Sequence, residues 1–167
     1  MNTDRVEELI QSLELKAHPE GGYYGETWRS PLRVTPSDDR GPRSALTTIY
    51  FLLPAGAVSR WHRVRSDEIW IHIDGAPLEL LRIPPDEWRL DRVTLGTLAE
   101  GHTPVECVPA NWWQAARSKG EYSLVSCAVG PGFEFGDFEM MSEKPGIIDE
   151  LRREIPGCES LVWARRL

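Results

Sequence analysis

His62 and Glu68 are the two residues of this chain best suited to chemistry. They stand in the stretch Gly56-Ala-Val-Ser-Arg-Trp-His62-Arg-Val-Arg-Ser-Asp-Glu68-Ile-Trp-Ile-His72-Ile-Asp-Gly75. A buried imidazole beside a carboxylate is a general-base dyad: the carboxylate orients the ring and raises its basicity, and the ring can take a proton from a carbon next to a carbonyl. The same pair can equally do no more than satisfy itself and hydrogen-bond a ligand, and at this point both readings stay open. Trp70 and His72 alternate with Ile69, Ile71 and Ile73. On a strand this places them on the face of Glu68, as candidate ligand-binding residues. Tyr50, with Tyr23 and Tyr24, is a candidate partner acid or ligand contact, weighed against the commoner place of a tyrosine in a core or at a rim.

Other groups read as structural. His18 precedes Pro19 and is expected in a turn, and His102 in an exposed loop. Arg60, Arg63 and Arg65 could grip an anion, but such a run is more often a solvated face with local ion pairs. Gly130-Pro-Gly-Phe-Glu-Phe-Gly-Asp-Phe138-Glu139 is expected either to close over a barrel mouth or to cover a sheet edge.

At 167 residues the chain is expected to form a single domain spanning 1–167. Its formal net charge of −7 argues against nucleic acid and against an anionic membrane surface. No apolar run approaches the ~20 residues that span a bilayer. The N-terminus lacks a basic start and apolar stretch, so a cytoplasmic location is expected. Cys107, Cys127 and Cys158 are odd in number and widely spaced, and a disulfide framework is not expected.

The elements that must position the pair are strands. Val6, Leu9, Ile10 and Leu13 predict an amphipathic helix over residues 4–14, within an N-terminal helical segment 1–16, with Asp4 and Glu7 at its start. Residues 45–130 then read as about eight short strands separated by turns, a barrel or jelly roll. Ile147, Ile148, Leu151 and Ile155 predict a short C-terminal helix within 145–156, stopped by Pro156-Gly157. Residues 31–42, rich in proline and polar groups, read as an exposed loop.

Several segments together resemble the fifth cupin family, Cupin_5, a domain of unknown function. They are His18-Pro-Glu-Gly-Gly-Tyr-Tyr24, Thr48-Ile-Tyr-Phe-Leu, His62 with Ser66-Asp-Glu68-Ile-Trp70, Pro77-Leu-Glu-Leu80, Val108-Pro-Ala110 with Trp113-Gln114, and Tyr122-Ser-Leu-Val125 leading to Pro131–Glu139. The resemblance implies an all-β, single-domain jelly-roll barrel of the dTDP-sugar-epimerase type, with short N- and C-terminal helices, commonly a homodimer. His62 is then the counterpart of the barrel base. Cupin motifs normally supply three histidines and a glutamate to a metal. Here His62 and Glu68 match, Gln114 stands at the last histidine, and Val64 replaces the second.

A divalent metal held by His62, Glu68 and Gln114 is therefore a candidate cofactor with a poor donor set. His72 lies ~13 Å along the strand from Glu68, too far for one ion. The expectation is an acid–base enzyme of the isomerase or epimerase kind on a sugar-like or carbonyl-bearing small molecule, with His62 and Glu68 catalytic and Tyr50, Trp70, His72 and Gln114 lining its pocket. The alternatives are a non-catalytic ligand-binding barrel and a metal-dependent oxygenase or lyase.

Overall fold

Along the strand Asp67–Gly75, Glu68 and Trp70 are buried, while Ile69 and Ile73 are 40% and 46% exposed. That alternation fixes which way the sheet faces. The computed structural model describes residues 3–163; Met1 and Asn2 of the expected N-terminal segment lie outside them. Helix α1 (Thr3–Ser12) is followed by β1 (Lys16–Ala17), β2 (Tyr23–Arg29), β3 (Arg33–Val34), β4 (Arg43–Ser44), β5 (Thr47–Pro54), β6 (Val58–Val64), β7 (Asp67–Gly75) and β8 (Leu78–Ile83). Then come β9 (Asp91–Leu95), β10 (Val105–Val108), β11 (Trp113–Ser118), β12 (Tyr122–Gly130), β13 (Phe138–Met140) and helix α2 (Pro145–Glu154).

The strands form a six-stranded sheet in the order β1-β2-β5-β12-β7-β10 and a five-stranded sheet in the order β13-β6-β11-β8-β9, with β3 and β4 paired separately. All the strand pairs are antiparallel. The result is a single-domain cupin-like jelly roll, as expected. The sheets take in more chain than residues 45–130, because β2 and β13 also join them. The polar segment 31–42 expected as a loop carries the short strand β3, which pairs with β4 just beyond it.

Three apolar layers hold the fold. Between the sheets, Phe51, Leu53, Trp70, Leu78, Leu80, Leu95, Val125 and Cys127 fill one end of the barrel. Outside the six-stranded sheet, Leu9 of α1 packs with Leu15, Leu52 and Leu124, and Val6, Ile10, Leu13 and Tyr50 join them. Outside the five-stranded sheet, α2 lays Ile148 and Leu151 against Trp61, Leu81, Ile83 and Trp113. This last cover explains why Trp61 and His62, adjacent on β6, are both buried: one faces α2 and the other the interior. Trp61 also finds a partner for its indole, with Nε1 donating to the Cys158 carbonyl at 2.9 Å. None of the described helices is long and apolar enough to cross a membrane.

Candidate functional site

The apolar filling stops at Trp70, and the other end of the barrel is left as a pocket of about 320 Å³. Its floor is set by β6 and β7, which carry His62 and Glu68 inward, and by a loop that enters between the sheets. That loop, His18-Pro-Glu-Gly-Gly22, is closed by His18 N–H donating to the Gly22 carbonyl and Gly21 N–H donating to the His18 carbonyl, both at 3.0 Å. It is tied to β6 by Arg60 N–H donating to the Glu20 carbonyl at 2.8 Å. Gly21 is required: its φ is +111°, and a Cβ there would sit 2.1 Å from the Val58 carbonyl oxygen. The two glycines let the chain pass close enough to β6 to bury Glu20, which is 6% exposed.

Glu20 is the partner of His62. Its Oε2 lies 3.2 Å from His62 Nε2, and its Oε1 accepts from Ser59 Oγ at 2.8 Å. On the other side of the ring, His62 Nδ1 meets the Arg60 carbonyl oxygen at 2.7 Å. A carbonyl only accepts, so Nδ1 carries the ring proton and Nε2 presents its lone pair to Glu20. His18 closes the group: its Nδ1 accepts from the Glu20 backbone N–H at 3.2 Å and lies 3.4 Å from Glu20 Oε2.

Burial dominates the electrostatics. It pushes the Glu20 carboxyl up to about 8, against the smaller opposing effects of the Ser59 hydrogen bond and the Arg60 charge. Burial also lowers His62, with the Glu68 charge opposing it. It holds His18 down at about 3, helped by the charge of His62. At neutral pH a neutral imidazole thus faces a protonated carboxyl, and one proton sits between Glu20 and His62.

Glu68 is held differently. Gln114 Nε2 donates to Glu68 Oε2 at 2.6 Å, and Gln114 Oε1 accepts from Trp70 Nε1 at 2.9 Å. Gln114 lies directly opposite His62 in the β6–β11 register, so the amide bridges the indole that plugs the barrel and the carboxyl that lines the pocket. Burial raises the Glu68 carboxyl, and His62 offsets part of that rise. Cys127, beside it, is raised well above the usual thiol range by burial and is not a ready thiolate.

The walls are aromatic and aliphatic. Tyr24 and Phe51 stand edge-on to the His18 ring at 4.6 and 6.0 Å between centroids, and Phe138 lies tilted over His62 at 5.3 Å. Phe133 and Phe135 complete the mouth, within the expected glycine–phenylalanine segment. That segment is anchored at both ends. Phe133 N–H donates to Thr47 Oγ1 at 2.9 Å and its carbonyl accepts from Arg29. Asp137, 3% exposed, accepts from Arg43 Nε at 2.8 Å and from Arg40 Nη1 at 3.3 Å.

The donors do not fit the metal that cupin motifs imply. Gln114 was its weakest expected ligand, and its carbonyl oxygen is taken by Trp70 while its nitrogen donates to Glu68. His62 Nε2 is met by Glu20 Oε2 at 3.2 Å, and His18 Nδ1 accepts from the Glu20 N–H. His18, Glu20 and His62 lie together, but among the described residues no three His, Cys, Asp or Glu have donor atoms arranged to hold an ion.

Of the residues expected from the sequence, the structure brings His62, Glu68 and Gln114 together, with Gln114 behind Glu68. The expected His62–Glu68 contact is replaced by His62–Glu20. Trp70 is 1% exposed and belongs to the packed core, touching the site only through Gln114. Tyr50 packs on the outer face under α1, because the β5 neighbours Ile49 and Phe51 take the pocket side. His72 lies beyond Trp70 on β7, just before a register shift against β12, and its Nε2 meets the Ala76 carbonyl at 3.1 Å, away from the pocket. Glu20 and His18 were not expected at the site. The two glycines after Glu20 were the available signal, marking a close backbone approach right beside a carboxyl.

Residues 7–141 match the family described as "Cupin superfamily (DUF985)", Cupin_5. The chain is similar to the structure of a hypothetical protein from Leishmania major, with 33% identity, 92% of this chain and 96% of that chain covered, and a TM-score of 0.82. A protein from Shewanella oneidensis is 35% identical over 95% of this chain and 94% of that chain, with a TM-score of 0.78. Oxalate decarboxylase from Bacillus subtilis shares the fold alone, at 12% identity, 86% and 35% coverage and a TM-score of 0.56. No match is found among curated proteins. Fold, matched residues and relatives agree: the chain belongs to the Cupin_5 family of the cupin superfamily.

Proposed function

We propose that the protein is a cytoplasmic acid–base enzyme of the isomerase or epimerase kind, acting on a small carbonyl-bearing metabolite. The observation that carries this reading is the 3.2 Å contact between Glu20 Oε2 and His62 Nε2 on the floor of the pocket. On binding, the Glu20 O–H turns to the substrate carbonyl oxygen and releases His62 Nε2, which takes the proton from the adjacent carbon. The electron pair of the broken C–H bond moves into the enolate, whose oxygen keeps its hydrogen bond from the Glu20 O–H. The proton then returns from Nε2 to the same carbon or its neighbour. Glu68 stabilises the imidazolium formed in between by its charge. A volume of about 320 Å³ is roughly twice that of a ~150 Å³ cavity that takes benzene, which suits a free sugar-sized compound better than a whole sugar nucleotide.

One observation favours plain binding as a second reading: the floor carboxyls already have partners in Ser59, His62 and Gln114. A binding screen with sugars, amino sugars and keto compounds, followed by exchange of substrate protons in deuterium oxide, separates the two. Exchange that is lost in His62→Asn with binding retained supports the enzyme. Binding with no exchange in the wild-type protein supports the receptor.

The same reading includes a homodimer. Ile69 and Ile73, with Val105 on the neighbouring strand, are 40%, 46% and 48% exposed on the outer face of the six-stranded sheet. A second copy would bury that face against itself about a two-fold axis. The three described cysteines are free, in keeping with a reducing compartment.

A further inference from the structure

The charges around the pocket are distributed unevenly between rim and floor. At the rim, Arg29 is engaged by Glu26 at 2.9 Å and Glu134 at 3.2 Å, so its charge is met locally. Lys16 sits over the Tyr24 ring, 5.1 Å from its centroid. On the floor, Glu20 and Glu68 are both buried, and their side-chain partners are a hydroxyl, an imidazole and an amide. Arg60 does not balance them: its Nε donates to the Glu20 backbone carbonyl and its Nη2 to that of Pro19. Among the described residues, neither carboxyl is therefore paired with an ammonium or guanidinium group, and Arg60 acts on Glu20 only from the backbone side.

Above them the rings of Tyr24, Phe51, Phe133, Phe135 and Phe138 line the cavity. Aromatic rings around a site with acidic groups at its base attract a positive charge on carbon-rich skeletons, since ring quadrupole and carboxylate act in the same sense. A carboxylate or phosphate entering here would pass Lys16 and the paired Arg29 at the rim and meet acids on the floor. We infer that the pocket of this protein selects a compact organic cation, an ammonium group on a small carbonyl-bearing skeleton, with Glu68 facing the charge and the phenylalanine rings enclosing it. This deepens the small-molecule reading of the same site and rests on it. Burial raises both carboxyls, and on Glu20 the Arg60 charge offsets only part of that rise.

Three compounds of one shape test the charge: choline, its neutral carbon analogue dimethylbutanol, and the corresponding dimethylbutanoate. Isothermal titration of the full chain should rank choline first, about tenfold or more above the neutral analogue, with the carboxylate weakest. Glu68→Gln should lower the affinity for choline about tenfold and leave the neutral compound nearly unchanged. Phe135→Leu, at a half-exposed position that tolerates the change, should weaken choline several-fold with little effect on dimethylbutanol. Equal or tighter binding of dimethylbutanol or dimethylbutanoate overturns the inference, as does no binding of choline at millimolar concentration. Stoichiometric uptake of Mn²⁺ by the wild-type protein, lost in Glu68→Gln, overturns it in favour of an inorganic cation. A choline preference without any proton exchange in a later substrate leaves the cation site standing while the acid–base reading fails.

Discussion

Glu20 Oε2 and His62 Nε2 lie 3.2 Å apart, one residue on a loop and the other on a central strand, and both are nearly inaccessible. The loop carboxyl, not the Glu68 of the neighbouring strand, is what the imidazole lone pair faces. This pairing and the neutral His18 beside it make stability depend on pH in a definite way.

Glu20 rises from an ordinary 4.5 to about 8 on folding, so the folded chain holds that proton more tightly. Its contribution is fully present below pH 4.5 and is lost as pH rises through about 8. His18 falls from 6.5 to about 3, so its contribution is present above pH 6.5 and is lost as pH falls through about 3. Thermal unfolding from pH 3 to 9 should show losses on both sides, with the two opposing one another between 4.5 and 6.5. Glu20→Gln should flatten the alkaline side, by an amount of the order of a few kcal/mol. An unchanged alkaline slope in that variant would show that Glu20 titrates normally.

Gln114 satisfies two buried groups at once. Gln114→Leu keeps the volume and strands both Trp70 Nε1 and Glu68 Oε2. Each orphaned group costs about 1–3 kcal/mol, and urea unfolding should show a total loss of about 2–6 kcal/mol. A loss under about 0.5 kcal/mol would mean that the amide bridge does not form.

Asp137 holds the phenylalanine segment over the pocket through Arg43 and Arg40, and Arg43 keeps its carboxyl below the usual range. Asp137→Asn should cost about 2–4 kcal/mol and speed limited proteolysis within residues 130–139. Cleavage at the wild-type rate would show that the segment is held by its aromatic contacts instead.

The donor argument about metal can be tested by restoring the missing ligands. Val64 lines the pocket and Gln114 is beside Glu68, so Val64→His with Gln114→His would surround the floor with three imidazoles and a carboxylate. Equilibrium dialysis with Co²⁺ should give one ion per chain for the double variant. Equal stoichiometric binding by the wild-type protein, lost in His62→Asn, would show that the native donors suffice.

For the dimer, light scattering is expected to give twice the 19.0 kDa chain mass, and Ile73→Glu should return it to the monomer. A wild-type monomer at micromolar concentration removes the outer face of β7 as an interface.

The sequence by itself determined the strands and their faces wherever the two-residue period runs unbroken. Glu68 and Trp70 go inward while Ile69 and Ile73 go outward, and the spacing of His62 and Glu68 puts both into one cavity. The amphipathic patterns of α1 and α2 were legible for the same reason. Tertiary structure decided the rest. Tyr50 turns outward because α1 covers that face of the sheet, and His72 is cut off from the pocket because Trp70 packs into the core between them. Trp70 became part of the core once Gln114 supplied the partner its indole needs. Glu20 became the partner of His62 only because a two-glycine loop folds back against β6, a contact across the chain that no local period encodes. The protonation states of Glu20 and His18 follow from that burial, and burial exists only after the two sheets have closed.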